Sequence, residues 1–323
     1  MVLPERQLIE RIRRRAAPGT NRALARAIGD DCAVLNIPSG RQTLVTTDLC
    51  VEDIHFRRAW HPPRSVGHRC LTRGLSDIAA MGGEPVACFL SLGLPENLAQ
   101  RWVDQFIDGL IGLAGRFRIP LAGGDIAGAP KITADIVVVG QIPTGRALLR
   151  SGARAGDSIY VTGTLGGSAD SLRRLYAGEK RRAGPDDRHF FPKARIETGR
   201  RLREKQIASA AIDLSDGLSV DLAHLCEESG VDAIVNAGAL PVAGGAGLEM
   251  ALHGGEDYEL LFTVRNGVRV PARIAGVPVS MIGEIVKASK DRKIKAESRV
   301  HMRDHSGKLS SLKPAGWEHF SKI

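Results

Sequence analysis

The residues with the clearest chemical potential are acids that recur beside glycine, serine and threonine. They are Asp30 and Asp31 in GDDCAVL, Asp48 in TLVTTDL, Asp77 in GLSDIAA and Asp125 in LAGGD. In the second of these, Thr46 and Thr47 stand immediately before the carboxylate, so the stretch offers only hard oxygen donors, which suit Mg²⁺ rather than zinc. Taken singly, each acid is equally an ordinary turn former or helix cap. Taken together, without a matching cluster of His or Cys, they favour a polynuclear Mg²⁺ site. Asp30 and Asp31 are adjacent like charges that repel unless exposed or bridged by a cation, so a solvated turn is the alternative there. Asp77 falls near the end of an expected helix, where the macrodipole is negative and a carboxylate is poorly placed without a neighbouring cation.

A second group lies further along. In AAIDLSDGLSVDLAHL a short apolar strand breaks at Asp213 and a helix starts after Gly217, leaving Asp213, Ser215 and Asp216 at the junction with Asp216 as a candidate cap. In GGEDYELLFTV, Glu256 and Asp257 occupy the loop before a strongly apolar strand. The glycine run GTLGGS precedes a helix expected from about Ala169, an arrangement that either holds an anion or simply makes a tight turn. It lacks the Lys-Ser/Thr ending of a P-loop.

These residues need elements to hold them. Leu8, Ile9 and Ile12 mark a first helix over 5–15, followed by Pro18-Gly19 and a second short helical piece ending at Ile28-Gly29. Ala33-Val34-Leu35 reads as a strand, and Leu44-Val45-Thr46 as the end of another that stops at Asp48. A helix begins at Pro63-Arg64-Ser65 and runs to Met81, where Gly82-Gly83 ends it. A strand over 86–94 and an amphipathic helix through Trp102, Phe106, Leu110, Leu113 and Phe117 follow. Another strand starts at Ile119 and ends at Asp125, with Gly123-Gly124 permitting close backbone approach. The β-branched run 132–142 is a further strand. A polar, glycine-rich connection at 151–157 marks a boundary between a domain over 1–150 and one over 151–323, and 179–189 reads as a charged surface excursion.

With 323 residues the chain accommodates two cores at roughly 100–200 residues per domain. No apolar run approaches the roughly 20 residues of a membrane span, and the N-terminal MVLPERQLIERIRRR lacks the apolar centre of a signal peptide, so a cytoplasmic protein with no membrane association is expected. The five cysteines are odd in number and without a CxxC pair, which reads as reduced core residues. The net charge of +9 is spread rather than interleaved with aromatics, which argues for anionic substrates over nucleic acid.

The stretches GDDCAVL, TTDLCVEDIHF, GLSDIAAMGGEP, LAGGD, GRALLRSGARAGDSIYVTGTLGGSAD, AIDLSDGL, GGEDYELLFTV, IGEI and GWEHF resemble, in order and over nearly the whole chain, the thiamine-monophosphate kinase family. That family stands within the superfamily of aminoimidazole ribonucleotide synthetase, selenophosphate synthetase and the hydrogenase maturation dehydratase. The resemblance implies a two-domain, mixed α/β aminoimidazole ribonucleotide synthetase-like fold, with N-terminal strands that build a β-barrel across a homodimer interface and a C-terminal α/β domain that completes the ATP and substrate site. It implies ATP-dependent conversion of thiamine monophosphate to thiamine diphosphate with several Mg²⁺ ions. Metal ligation would then fall to Asp30 or Asp31, Thr46, Thr47, Asp48, Asp77, Asp125, Asp213 and Asp216. ATP would meet Gly124, Asp125, Arg150 and Ser215, and thiamine phosphate would meet His55, Glu256 and Trp317. Ile107 departs from the family at a place where some members set a tyrosine against the nucleotide, and the stretch 180–188 has no counterpart in the resemblance.

The implied chemistry agrees with the residues. Phosphoryl transfer asks the protein mainly for positioning and charge neutralisation. A phosphate oxygen with a second pKa of about 6 is already ionised near neutrality. No strong general base is needed, consistent with abundant acids and no Ser-His-Asp set.

Overall fold

A computed structural model describes residues 3–16, 23–26, 34–179, 183–184, 186–288 and 298–317. The chain divides into two compact units. One comprises Met1–Ile78, Gly83–Gly145 and Arg181–Pro192; the other comprises Ala79–Gly82, Arg146–Lys180 and Lys193–Ile323.

The first unit is built from α1 (Glu5–Arg15), β1 (Leu24–Arg26), β2 (Val34–Leu35), β3 (Arg41–Val51), α2 (Pro63–Ala80), β4 (Glu84–Leu94), α3 (Gln100–Phe117), β5 (Leu121–Gly128) and β6 (Thr133–Pro143). Leu24–Arg26 pairs antiparallel with Val34–Leu35, so the helical piece expected before Gly29 is corrected to a strand over its described part. The pairing partner lies several residues away, and a local helical pattern does not reveal it. The main sheet has the order β3-β6-β4-β5, with β4 and β5 parallel and the other pairs antiparallel. It is an open four-stranded sheet within one chain, not a closed barrel. Leu71, Leu75 and Ile78 of α2, Phe106, Ile107 and Leu110 of α3, and Ile136 and Ile142 of β6 form its buried core. Ile107 is therefore a packing residue, 1% exposed. Helix α2 ends as its glycines suggest, with Gly82 N–H donating to Ala79 O (2.9 Å) and Gly83 N–H to Ile78 O (2.9 Å).

Two further expectations are corrected here. Strand β3 does not stop at Asp48 but continues to Val51, because β6 pairs with it over its full length, Asp48 opposite Ile136 and Val51 opposite Thr133. Likewise Asp125 lies inside β5, opposite Ser91, rather than at the strand's end. The excursion expected over 179–189 ends in a buried anchor: His189 and Phe190 are 1% and 0% exposed. The ring of His189 meets His61 Nε2 to Nε2 at 3.0 Å, and Arg69 donates to the His189 carbonyl. On α1, Arg11 and Arg15 pair with Asp104 of α3 at 2.5 and 2.8 Å, so part of the basic run docks the helix.

The second unit contains β7 (Ser158–Thr162), α4 (Gly167–Tyr176), α5 (Ile196–Glu204), β8 (Ala210–Asp213), α6 (Leu218–Ser229), β9 (Val231–Asn236), a 3₁₀ turn at Ala237–Ala239, α7 (Leu248–His253), β10 (Leu260–Val264), β11 (Arg273–Ile274), β12 (Val277–Lys287), β13 (Val300–Arg303) and β14 (Leu309–Ser311). Its mixed sheet runs β14-β13-β9-β12-β7-β10-β8, with β11 paired to β12 off this path. Ile159, Val161, Ile212, Leu222, Leu225 and Leu261 are among the residues of its core. The four cysteines described, Cys50, Cys70, Cys88 and Cys226, are buried and form no disulfide among the described residues. Among the described residues no helix is long and apolar enough to cross a membrane.

Candidate active site

In the first unit a strand and a helix present their side chains in step. Along β3, Thr46, Asp48 and Cys50 point to one face, while Val45, Thr47 and Leu49 point to the other and are exposed. Along α2, Cys70, Arg73 and Asp77 recur at helical spacing on one face. The two rows meet: Cys50 lies against Cys70, Asp48 Oδ1 pairs with Arg73 Nε at 3.4 Å, and Thr46 Oγ1 donates to Asp77 Oδ2. The period-2 strand and the period-3.6 helix thus bring two acids and a hydroxyl together, with Thr47 on the opposite face. Burial raises the Asp48 carboxyl to about 6. Arg73 opposes the rise, and the nearby charges of Asp77 and Asp135 add to it.

Asp125 is placed differently. Strand register sets Leu49, Asp135, Ser91 and Asp125 in one row across the sheet, on the face that carries Thr47. Asp125 is exposed and its Oδ1 accepts from Ile126 N–H at 2.9 Å. The preceding Gly124 has φ +151°, and a Cβ there would collide with the Leu90 carbonyl, so its close approach is to β4. His55 sits in the turn after β3. Its Nδ1 accepts from Val51 N–H at 3.0 Å, which leaves the hydrogen of the neutral ring on Nε2. Asp30 and Asp31 lie outside the described residues.

In the second unit, Asp213 ends β8 and is 4% exposed. Beyond it the chain stays paired with the 256–259 segment. Leu214 N–H donates to Glu259 O (2.8 Å), Tyr258 N–H to Leu214 O (2.9 Å) and Glu256 N–H to Ser215 O (2.8 Å). Glu256 and Tyr258 are both left-handed, φ +64° and +51°, a conformation costly for residues with a Cβ and concentrated at functional sites. The C-terminal segment closes on the same turn. Trp317 N–H donates to Asp216 O at 3.1 Å, and a Cβ on Gly316 would overlap that oxygen. Trp317 remains 48% exposed. Asp213, Ser215, Asp216, Glu256 and Trp317, picked from three separate motifs, are thereby joined through backbone contacts. Arg150 is exposed, and its carbonyl accepts from Ser229 Oγ at 2.8 Å.

One expectation for this unit is corrected and one open alternative is resolved. The residue that holds the start of α6 is Asp221, not Asp216. One Asp221 oxygen, Oδ2, accepts from the N–H groups of Ser215 (3.1 Å), Asp216 (3.1 Å) and Gly217 (3.0 Å). Burial and the charges of Asp213 and Asp216 push the Asp221 carboxyl well up. The glycine loop before α4 does not await an anion, because Asp257 already fills it, accepting from Gly166 N–H (2.7 Å) and Ser168 N–H (3.4 Å). Sequence reading passed over Asp221, Asp135 and Arg73. The signal for Asp221 was an acid four residues after the helix-starting glycine.

The donor set fits Mg²⁺. Among the described residues no three His, Cys, Asp or Glu side chains converge as a ready-made metal cage. Mg²⁺ asks for less, one or two carboxylates with the remaining positions left to water and substrate phosphates. Asp48 and Asp77 are two carboxylates near each other beside a hydroxyl, with hard oxygen donors throughout.

Residues 29–142 match the family model "AIR synthase related protein, N-terminal domain" and residues 154–295 match its C-terminal counterpart. The thiamine-monophosphate kinase of Salmonella typhimurium is 43% identical over 275 residues, 80% of this chain and 83% of that protein. A crystal structure of thiamine-monophosphate kinase from Stenotrophomonas maltophilia superposes with a TM-score of 0.81 at 34% identity, over 96% of this chain and 99% of the other. AaThiL complexed with AMPPCP and TMP superposes with a TM-score of 0.76 at 31% identity, over 99% of both chains. The chain belongs to the thiamine-monophosphate kinase family of AIR synthase related proteins.

Proposed function

We propose that this kinase transfers the γ-phosphoryl group of ATP in line to the phosphate of thiamine monophosphate, giving thiamine diphosphate and ADP in the cytoplasm. The observation that carries the reading is the meeting of Thr46, Asp48 and Asp77 across the β3–α2 contact, an acidic oxygen-donor surface offset only in part by Arg73. Mg²⁺ bound by these oxygen donors would supply the positive charge that offsets the polyphosphates. Asp30 or Asp31, Thr46, Thr47, Asp48, Asp77 and Asp125 are its proposed ligands in the first unit, and Asp213 and Asp216 in the second. Gly124, Asp125, Arg150 and Ser215 serve the nucleotide.

His55, with its hydrogen on Nε2, donates to the thiamine phosphate. Glu256 and Trp317 contact the thiamine, the indole stacking on the cationic thiazolium or the pyrimidine. The acceptor is already a phosphate oxygen anion. The new P–O bond forms from it, the bond to the ADP oxygen breaks, and no protein group must remove a proton. The long edge strand β3, with Val45 and Leu49 outward at 65% and 53% exposure, supports closure of the first unit's sheet into a barrel in a homodimer.

The test is Mg²⁺-dependent ADP release with thiamine monophosphate and with unrelated phosphate acceptors, the product being identified by ³¹P NMR. A diphosphate signal only with thiamine monophosphate is expected. ADP release indifferent to that acceptor would refute the assignment.

A further inference from the structure

We infer that Asp221 is a positioning residue for the acids of the second unit, an inference that rests on the reading of Asp213 and Asp216 as Mg²⁺ ligands. Three consecutive backbone N–H groups turned toward one point normally make an anion-binding concavity. Here that concavity is occupied from within the protein: Asp221 Oδ2 accepts from Ser215, Asp216 and Gly217 at 3.1, 3.1 and 3.0 Å. Asp221 itself is 2% exposed and fixed in the first turn of α6.

The consequence is directional. With its N–H groups drawn inward, the peptide run 215–217 cannot rotate to face a phosphate. The other sides of the turn are held too, since Ser215 O accepts from Glu256 N–H and Asp216 O from Trp317 N–H. Backbone atoms at Ser215 and Asp216 are therefore committed on both their N–H and C=O sides. What is left to vary at this junction is its side chains, among them the oxygen donors Asp213, Ser215 and Asp216. Groups that orient metal ligands in this way typically change metal affinity about 10–100-fold when removed.

The test uses the full-length protein. Asp221→Asn preserves the side chain's shape and one acceptor oxygen but removes the charge; Asp221→Ser is a smaller replacement that still accepts one hydrogen bond. Mn²⁺ binding is followed by electron paramagnetic resonance, with Asp216→Asn identifying the ions bound at this turn. In both Asp221 variants, Mn²⁺ affinity at that site and the half-saturating Mg²⁺ for turnover are expected to weaken about tenfold or more. The KM for thiamine monophosphate at saturating Mg²⁺ should move little. In the metal-free wild type, amide hydrogen exchange at residues 215–217 should be slow. A lowered melting temperature with unchanged Mn²⁺ affinity and Mg²⁺ dependence would make Asp221 merely structural and overturn the inference. So would exchange at those three amides as fast as in an exposed loop, a result that needs no variant to fold. Failure of the wild type to bind Mn²⁺ at the Asp216 site would instead overturn the ligand reading itself, and this role with it.

Discussion

Asp48→Asn separates the energetic cost of the candidate metal site from its use. In the protein without cations, burial moves the Asp48 carboxyl from 3.8 to about 6, against the partial help of Arg73. A carboxyl whose folded-state pKa is raised favours the fold when protonated. Its penalty is absent below about 3.8, grows as pH rises, and is complete above about 6. At roughly 1.4 kcal/mol per pKa unit the full penalty amounts to about 3 kcal/mol. Asp48→Asn is neutral at every pH and keeps the shape. It should therefore stabilise the metal-free protein at pH 7.5 by up to about 3 kcal/mol, an advantage that shrinks steadily as the pH falls and vanishes near 4. For a unit of this size the gain corresponds to a rise of several degrees in its melting transition.

The assay is thermal unfolding in EDTA from pH 4.5 to 8, repeated with saturating Mg²⁺ and ADP. Ligand at about a hundred times its Kd stabilises by about 2.7 kcal/mol, so the wild type should recover most of the difference while the variant gains much less. Turnover of the variant should fall by orders of magnitude, since one metal-neutralising charge is gone. An equal or lower melting temperature for Asp48→Asn in EDTA at pH 7.5, or a difference independent of pH, would refute the reasoning.

Asp77→Asn should leave metal-free stability unchanged or slightly higher, because its amide oxygen still accepts from Thr46 while a charge leaves the helix's negative end; Mg²⁺ binding should weaken, and a clear loss of stability without metal would make Asp77 structural. Trp317→Ala should raise the KM for thiamine monophosphate roughly three- to thirtyfold, the loss of a stacking contact of about 0.5–2 kcal/mol made equally in ground and transition states, with kcat and the KM for ATP much less affected. A large fall in melting temperature with an unchanged KM would instead make Trp317 an anchor for the tail. Sedimentation at micromolar concentration should show a homodimer with or without ATP, and a monomer would contradict the barrel.

The sequence by itself singled out residues whose types suit phosphoryl-transfer chemistry and most of the elements that carry them. Acids beside hydroxyls and glycines are informative through composition and spacing alone; helix α2 announces itself by its glycine stop, α3 by its apolar period and α6 by the glycine before it. Only the tertiary structure decided what those acids meet. That Asp48 and Asp125 lie within strands follows from ladders formed with partners far away in the chain, and a local pattern carries no register. That Thr46 faces Asp77 while Thr47 faces outward depends on the phase of a strand against a helix. Asp221 and Asp257 read as ordinary charged residues until the fold folds the backbone N–H groups of two turns around them. Which carboxylate accepts from which amide is settled by packing, because burying a turn compels each polar group to find a partner wherever the chain has brought one near.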